Sequence, residues 1–332
     1  MTQNLTDSLK GKDTVFVSTK NIDYIRNTQE IELISKYSNS IKIIAFSTKN
    51  YLLRVLKVYF HLIPVLFKKK YDVLFLGFSP QLLFLLFPFF PKNKLIIIDF
   101  FISVYDTLVD DRKKFKNGGI LSNLTHWLDT KTIHKADLVI TDTLTHGNYF
   151  SKEFQFPIDK IETIYISADT SIYQNNRAIA ETKHSQYFEV IYFGSILPVQ
   201  GIEIILDAMK KLKDDPSIKF TIVGPIIKKY KLDSNDFPNT TFIEWLTQEQ
   251  LALQIANSNL ALAGHFSATI GKANRTIAGK TYIYKAMNKP VILGDSEANR
   301  ELFKEDNKNN FYVERGNSTA LAEKIKKISK MI

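Results

Sequence analysis

Short, continuous runs of Val, Ile, Leu and Phe recur along this chain at intervals long enough for one helix each. In the first half they are Thr14 to Ser18, Ile41 to Phe46, Val73 to Phe78, Leu95 to Phe101 and Leu138 to Thr141. In the second half they are Val190 to Phe193, Phe220 to Val223, Thr241 to Trp245, Leu260 to Ala263, Pro290 to Leu293 and Phe311 to Val313. A strand with one face in water alternates apolar and polar residues. A run that is apolar throughout is covered on both faces, as in a parallel sheet flanked by helices. The pattern therefore predicts an α/β protein with doubly wound parallel sheets and excludes a β-sandwich.

At 332 residues the chain is long enough for two such domains. The stretch Asp169 to Gln186 is polar and without period, as a linker is. It divides the chain into a first domain over 1–170, a linker over 171–186, a second domain over 187–315 and a closing helical segment over 316–332. Hydrophobic residues at 45% and charged residues at 23% exclude a disordered chain. The absence of cysteine excludes a disulfide scaffold and a thiolate metal site, and the polar start MTQNLTDSLKGKD has no signal-peptide core.

The net charge is +10, with 22 Lys and Arg against 17 Asp and Glu in residues 1–170 and the same counts beyond. So even an excess fits general attraction to anionic surfaces and argues against a specific nucleic-acid partner. The run QLLFLLFPFFP from Gln81 is too short to cross a bilayer. Ahead of it, YLLRVLKVYFHLIPVLFKKK from Tyr51 is a basic amphipathic stretch. It fits an anionic membrane surface, and it also fits packing against the first domain's sheet.

The most lopsided stretch runs from Gln250 through Gly294, which holds no Asp or Glu but does hold Lys272, Arg275, Lys280, Lys285 and Lys289. The spacing predicts a buried strand to Ala263, a loop over Ser267 to Gly279, a helix over Thr281 to Asn288 and a strand from Pro290. Arg275 and Lys280 then lie beside a helix N-terminus, whose free N–H groups and dipole favour phosphate. Phe193-Gly194-Ser195-Ile196-Leu197-Pro198-Val199-Gln200-Gly201 likewise joins a strand to a helix, with glycines that let backbone approach a ligand.

The segment Lys272-Ala273-x-Arg275-Thr276-Ile277-x-Gly279-Lys280-Thr281-Tyr282, with Ala286-Met287-x-Lys289-Pro290-Val291-Ile292, resembles the donor site of retaining glycosyltransferase family four. The resemblance implies the GT-B fold, two Rossmann-like doubly wound domains facing a central cleft, with the last helix crossing back to the first domain. It implies a retaining, metal-independent hexosyltransferase of bacterial polysaccharide or glycan biosynthesis. The sugar would pass from a nucleoside diphosphate-sugar co-substrate, with no other cofactor, to a glycan or lipid-linked acceptor. Such a protein is expected in the cytoplasm, peripheral on the inner face of the plasma membrane.

By the same resemblance Gly194, Ser195, Gly201, Gly224, Lys272, Arg275, Lys280 and Thr281 line the donor site, and Trp245 and Leu246 hold the base. Arg275 and Lys280 also stabilise the leaving diphosphate. Gln200 stands where the family commonly has a cation, and Ile283 where it has a ribose-binding Glu. In the first domain, Asp99 and Asp106 are polar residues in an apolar run that begins at a strand end, which is costly unless they are paired or used. They are the acceptor-side candidates, with His146 after the strand DLVITDT a lesser one. An alternative reading is a catalytically silent GT-B subunit that binds a partner transferase or a glycan.

Overall fold

The computed structural model describes residues 3–174 and 186–331, which divide into two compact units, Met1–Ile166 and Ser167–Ile332. All eleven expected strands are present, within a few residues of their expected ends, and a twelfth is added. In the first unit they are β1 (Asp13–Val17), β2 (Ser40–Ile44), β3 (Val73–Leu76), β4 (Leu95–Asp99), β5 (Leu138–Thr141) and β6 (Ile161–Thr163). The added strand is β6, whose Ile-Glu-Thr carries too little apolar residue to signal itself. Its place at the sheet edge explains why it needs little. In the second unit they are β7 (Phe188–Phe193), β8 (Ile218–Val223), β9 (Thr240–Ile243), β10 (Leu260–Leu262), β11 (Val291–Gly294) and β12 (Asn310–Val313).

Every neighbouring pair is parallel. The first sheet has the order β2-β1-β3-β4-β5-β6 and the second β12-β11-β10-β7-β8-β9. Both are doubly wound. All four residues of β3 and of β5 are buried, because helices cover both faces. In β7, Phe188, Val190 and Tyr192 join one hydrophobic cluster while Ile191 joins the cluster on the other face.

Local differences have identifiable causes. The polar start contains a helix, Gln3–Leu9, whose Leu5 and Leu9 are fully buried against the first sheet. Two well-placed leucines suffice where the sheet needs covering. The expected linker falls mostly on residues 175–185, outside the described residues. Its beginning does not behave as linker, since Ile172 and Tyr173 pack into the second unit's core. The closing helix, Ser318–Ile328, packs within the second unit: Leu321, Ala322, Ile325 and Ile328 share one cluster with Ile202, Ile205 and Met209 of helix Ile202–Lys211.

The strand orders locate where ligands are held. A doubly wound sheet binds at the carboxyl ends of the two neighbouring strands from which the chain departs in opposite directions. In the first sheet these are β1 and β3, and in the second β7 and β10. The chain leaves β7 through Gly194 and β10 through Ala263, so the two glycine-bearing stretches singled out above meet at one point of the fold.

Candidate functional site

Gly194 follows β7 and Gly201 caps the next helix with φ 63°, a left-handed conformation that glycine adopts at little cost. The space their missing side chains leave is occupied by protein atoms. A Cβ on Gly201 would lie 2.5 Å from the Ser267 amide nitrogen, and one on Gly194 would lie 2.8 Å from Lys280 Nζ. Gly224, at φ 141°, leaves room for the Gly194 carbonyl, 2.4 Å from where its Cβ would stand. The loop after β10 is fastened to the loop after β7 by the Phe266 amide, which donates to the Gln200 carbonyl at 3.1 Å.

Lys280 lies at the centre of this arrangement. It is the second residue of helix Gly279–Ala286 and is buried. Its Nζ donates to Gln200 Oε1 at 2.5 Å and sits 3.9 Å from the centroid of the Tyr192 ring. The Tyr192 hydroxyl also donates to Gln200 Oε1. A neutral amide at position 200 is thus explained: a second cation there would repel Lys280, while the amide oxygen accepts from it. Among the described residues no carboxylate balances the ammonium, and burial holds its pKa well below the usual lysine range. Beside it, the Thr281 hydroxyl is fully buried and meets no hydrogen-bond partner among the described residues.

The cations of the acid-free stretch separate by environment. Lys289 is spent on structure, donating to the Ala256 and Ser258 carbonyls at 2.6 and 2.7 Å, with its pKa lowered by burial to about 8. Lys285 donates to Asn310 Oδ1 at 2.9 Å. Lys272 and Arg275 open and close a short helix, Lys272–Arg275, inside what the spacing predicted to be loop. Arg275 is half-buried. The helix beyond begins at Gly279, two residues earlier than expected.

Ser195 is exposed. Trp245, whose position after a strand would equally suit core packing, is 74% exposed and presents its ring to solvent beside half-buried Leu246. Ile283 packs against the apolar cluster that contains Ile191, Tyr284 and Val291. Ile283 itself is half-buried. A separate cavity of about 690 Å³, lined in part by Tyr187, Lys219, Thr241 and Asn257, lies at the amino ends of β7 to β9. That is the end of the sheet where doubly wound proteins do not bind their ligands.

In the first unit Asp99 is fully committed. Arg26 grips it with two hydrogen bonds, Nε to Oδ2 at 3.1 Å and Nη2 to Oδ1 at 2.9 Å, and both side chains are buried. Arg26 lies 73 residues upstream. Asp129 is likewise committed, accepting from Ser103 Oγ, the Tyr105 amide and Gln81 Nε2. Ser103 Oγ in turn accepts from the Asp106 amide at 2.9 Å.

Asp106 stands apart. Its Oδ2 lies 3.9 Å from Nε2 of His146, and His146 Nδ1 lies 2.6 Å from Asp142 Oδ1. All three are buried. A carboxylate only accepts, so Asp142 holds the proton on Nδ1 and leaves Nε2 facing Asp106. Sequence reasoning singled out Asp106 and His146 but not Asp142 as a functional group, although its spacing of four from His146 on a helix start was visible. Lys20, which follows β1 at the first sheet's own switch point, lies 5.4 and 5.1 Å from the rings of Tyr24 and Phe78.

The family described as Glycosyl transferases group 1 matches residues 187–330. The chitobiosyldiphosphodolichol beta-mannosyltransferase of Candida albicans is 26% identical over 152 residues. That match covers 40% of this chain and 33% of the yeast protein, so the chain spans about a third of the length of the curated relative it matches. Among solved structures, Anabaena HepE in complex with UDP superposes with a TM-score of 0.69 at 14% identity, over 96% of this chain and 90% of that one. Sucrose-phosphate synthase from Thermosynechococcus elongatus gives 0.68 at 12% identity, over 95% and 89%. At these identities the likeness establishes the fold.

Proposed function

We propose that this chain, a glycosyltransferase family four-like protein of GT-B fold, transfers a hexose from a nucleoside diphosphate-sugar to a glycan or lipid-linked acceptor with retention of configuration. The observation that carries the donor half is Lys280. Burying an ammonium without a counter-ion is costly, and the cost is recovered when an anion arrives. The first turn of helix Gly279–Ala286 lies in the same place, so a diphosphate there would meet a cation, a dipole and the Thr281 hydroxyl together. Arg275, in the turn before, adds the second cation. These groups stabilise the charge that develops on the departing diphosphate, which is the task a divalent cation performs elsewhere, and so the reaction is proposed to need no metal. Trp245 offers its exposed face to the base. That HepE was solved with UDP and UDP-glucose, and that the yeast relative is named for mannosyl transfer to a diphosphodolichol, favours this donor class and a lipid-linked acceptor.

On the acceptor side Asp106 is the proposed group, lying beside His146 and acting on the incoming hydroxyl. Asp99 is not proposed for this role, because it is held in a buried ion pair with Arg26. A catalytically silent subunit is the second reading, favoured by Ile283: an aliphatic side chain at that position presents no carboxylate to a ribose.

Calorimetry with nucleoside diphosphates, followed by turnover across a panel of nucleotide-sugars, separates the two. The transferase reading expects binding that Lys280→Met weakens and turnover that Asp106→Asn abolishes without changing affinity, with NMR of the product showing retained configuration. Absence of turnover with every donor supports the silent subunit, and no nucleotide binding at all defeats the transferase reading.

A further inference from the structure

Helix Tyr51–Lys68 is apolar on two opposite faces. Val58, Leu62, Val65 and Leu66 are buried in the first unit's core, with Arg54 anchored beneath them by hydrogen bonds to the Thr19 and Thr48 carbonyls. On the outer side Leu52, Leu53, Leu56, Phe60, Ile63 and Phe67 are exposed, Phe60 by 76% and Phe67 by 69%. At 3.6 residues per turn these six fall within an arc of about 100°. A helix packed on a sheet normally carries charge on that arc. One that is apolar there is covered by something.

The surface continues beyond the helix. Segment Pro80–Phe89 lies beside it, with the Tyr59 hydroxyl donating to the Leu82 carbonyl at 2.7 Å and the rings of Phe67 and Phe89 6.3 Å apart. Leu85 and Phe89 are themselves 61% and 54% exposed. Charge is distributed to match: residues 33–71 contain no Asp or Glu, Lys57 and Lys68 border the arc, and Lys69 and Lys70 follow at once. Among the described residues no helix is long and apolar enough to cross a membrane, and this one has its inner face packed into protein.

We propose that this face docks the first unit on an anionic lipid bilayer, with the helix lying in the plane of the interface. The Leu and Phe side chains enter the acyl boundary and the lysines meet the headgroups. Charge argues against a second copy of the chain, since two such faces would bring lysines together with no carboxylate anywhere in residues 33–71 to balance them. The purpose of the face rests on the lipid-linked acceptor reading, because docking would bring the enzyme to a substrate confined to the membrane. Its existence is tested apart from catalysis.

The test is co-sedimentation with phosphatidylcholine vesicles, with and without phosphatidylglycerol, at low and high salt. The protein is expected to partition to the anionic vesicles and to be released by salt. Replacing Leu56, Phe60 and Phe67 together by Ser, all at exposed positions, is expected to lower partitioning at least about tenfold. It should leave the melting temperature and nucleoside diphosphate affinity unchanged. Replacing Lys68, Lys69 and Lys70 by Gln should weaken partitioning and remove most of its salt dependence. Wild-type protein that ignores anionic vesicles, or a triple Ser variant that still binds them, overturns the proposal. So does a wild-type dimer in solution that the Ser substitutions dissolve, which would make a second copy the occupant. Loss of transfer to a lipid-linked acceptor with transfer to a water-soluble one retained supports docking. Failure with both acceptors in the wild type condemns the transferase reading and leaves vesicle binding standing.

Discussion

Each of the two units buries charge, and they do so in opposite ways. In the first, Arg26 is held by Asp99 through two hydrogen bonds, with Glu30 3.4 Å away. Burial alone would lower the pKa of the guanidinium, but the attraction and hydrogen bonding of Asp99, with Glu30 and Asp142, together raise it, and Glu30, buried beside another carboxylate, has its pKa raised well above the usual range. In the second, Lys280 is buried against a neutral amide and an aromatic ring, and its pKa is pushed down because nothing offsets the loss of water. A balanced buried charge belongs to the scaffold, since its stabilisation is complete in the free protein. An unbalanced one stores an interaction that only an incoming anion completes.

The comparison breaks most readily at Arg26. Arg26→Met leaves Asp99 buried and unpaired, and urea denaturation should show a loss of about 3–5 kcal/mol. Restoring balance with Asp99→Leu in the same chain should recover much of that loss. If the double variant were folded and stable but had lost transfer without losing nucleotide affinity, Asp99 would be catalytic and its assignment to the scaffold wrong.

Lys280→Met is the opposite experiment. Removing an uncompensated charge should leave the melting temperature of the free protein unchanged or raised, while nucleoside diphosphate affinity measured by calorimetry falls by about 10- to 100-fold. A large loss of stability would place Lys280 with Arg26 in the scaffold.

A third effect is smaller and depends on pH. Bound diphosphate restores the ammonium, so the complex binds more protons than the free protein. Affinity is then full below the depressed pKa of free Lys280 and declines as pH rises from there towards the ordinary lysine value of 10.5. In the same interval the unfolded chain, with an ordinary lysine, binds more protons than the free native protein, so stability without ligand rises with pH. Lys280→Gln should remove both slopes; calorimetry in buffers of differing ionisation enthalpy would count the proton taken up.

The smallest expected change sharpens the contrast inside the acid-free stretch itself. Lys289→Met loses its bonds to the Ala256 and Ser258 carbonyls and should cost about 1–2 kcal/mol in stability, with nucleotide affinity unaltered. A fall in affinity equal to that of Lys280→Met would mean that the stretch acts as a diffuse basic patch and not through one buried group.

Much of this was legible in the chain. The fully apolar runs announced parallel sheets because a strand buried on both faces tolerates no polar alternate. Arg275 and Lys280 were legible as a pair because a strand, a loop and a helix start can be read from spacing. The glycines were legible in part: a missing Cβ shows that something approaches, and at Gly194 and Gly201 the protein atoms that approach are those of Lys280 and the loop at Ser267. The pairing of Asp99 was not legible for a similar reason, since its partner Arg26 is 73 residues away and nothing in the run around Asp99 points to it. Trp245 could be core or surface from its neighbours, and its exposure follows from where β9 sits, at the edge of the second sheet.

The sequence by itself determined the two doubly wound domains, the acid-free stretch and the supply of cations near a helix start, because these depend on composition and short-range period. Tertiary structure decided which of those cations are used up. Lys289 and Lys285 find acceptors on neighbouring strands and helices, and Arg26 finds Asp99 across the first sheet, whereas Lys280 is enclosed with no carboxylate to meet it. Whether a charge is balanced depends on what lies within a few ångströms in space, and those neighbours are supplied by residues far away along the chain.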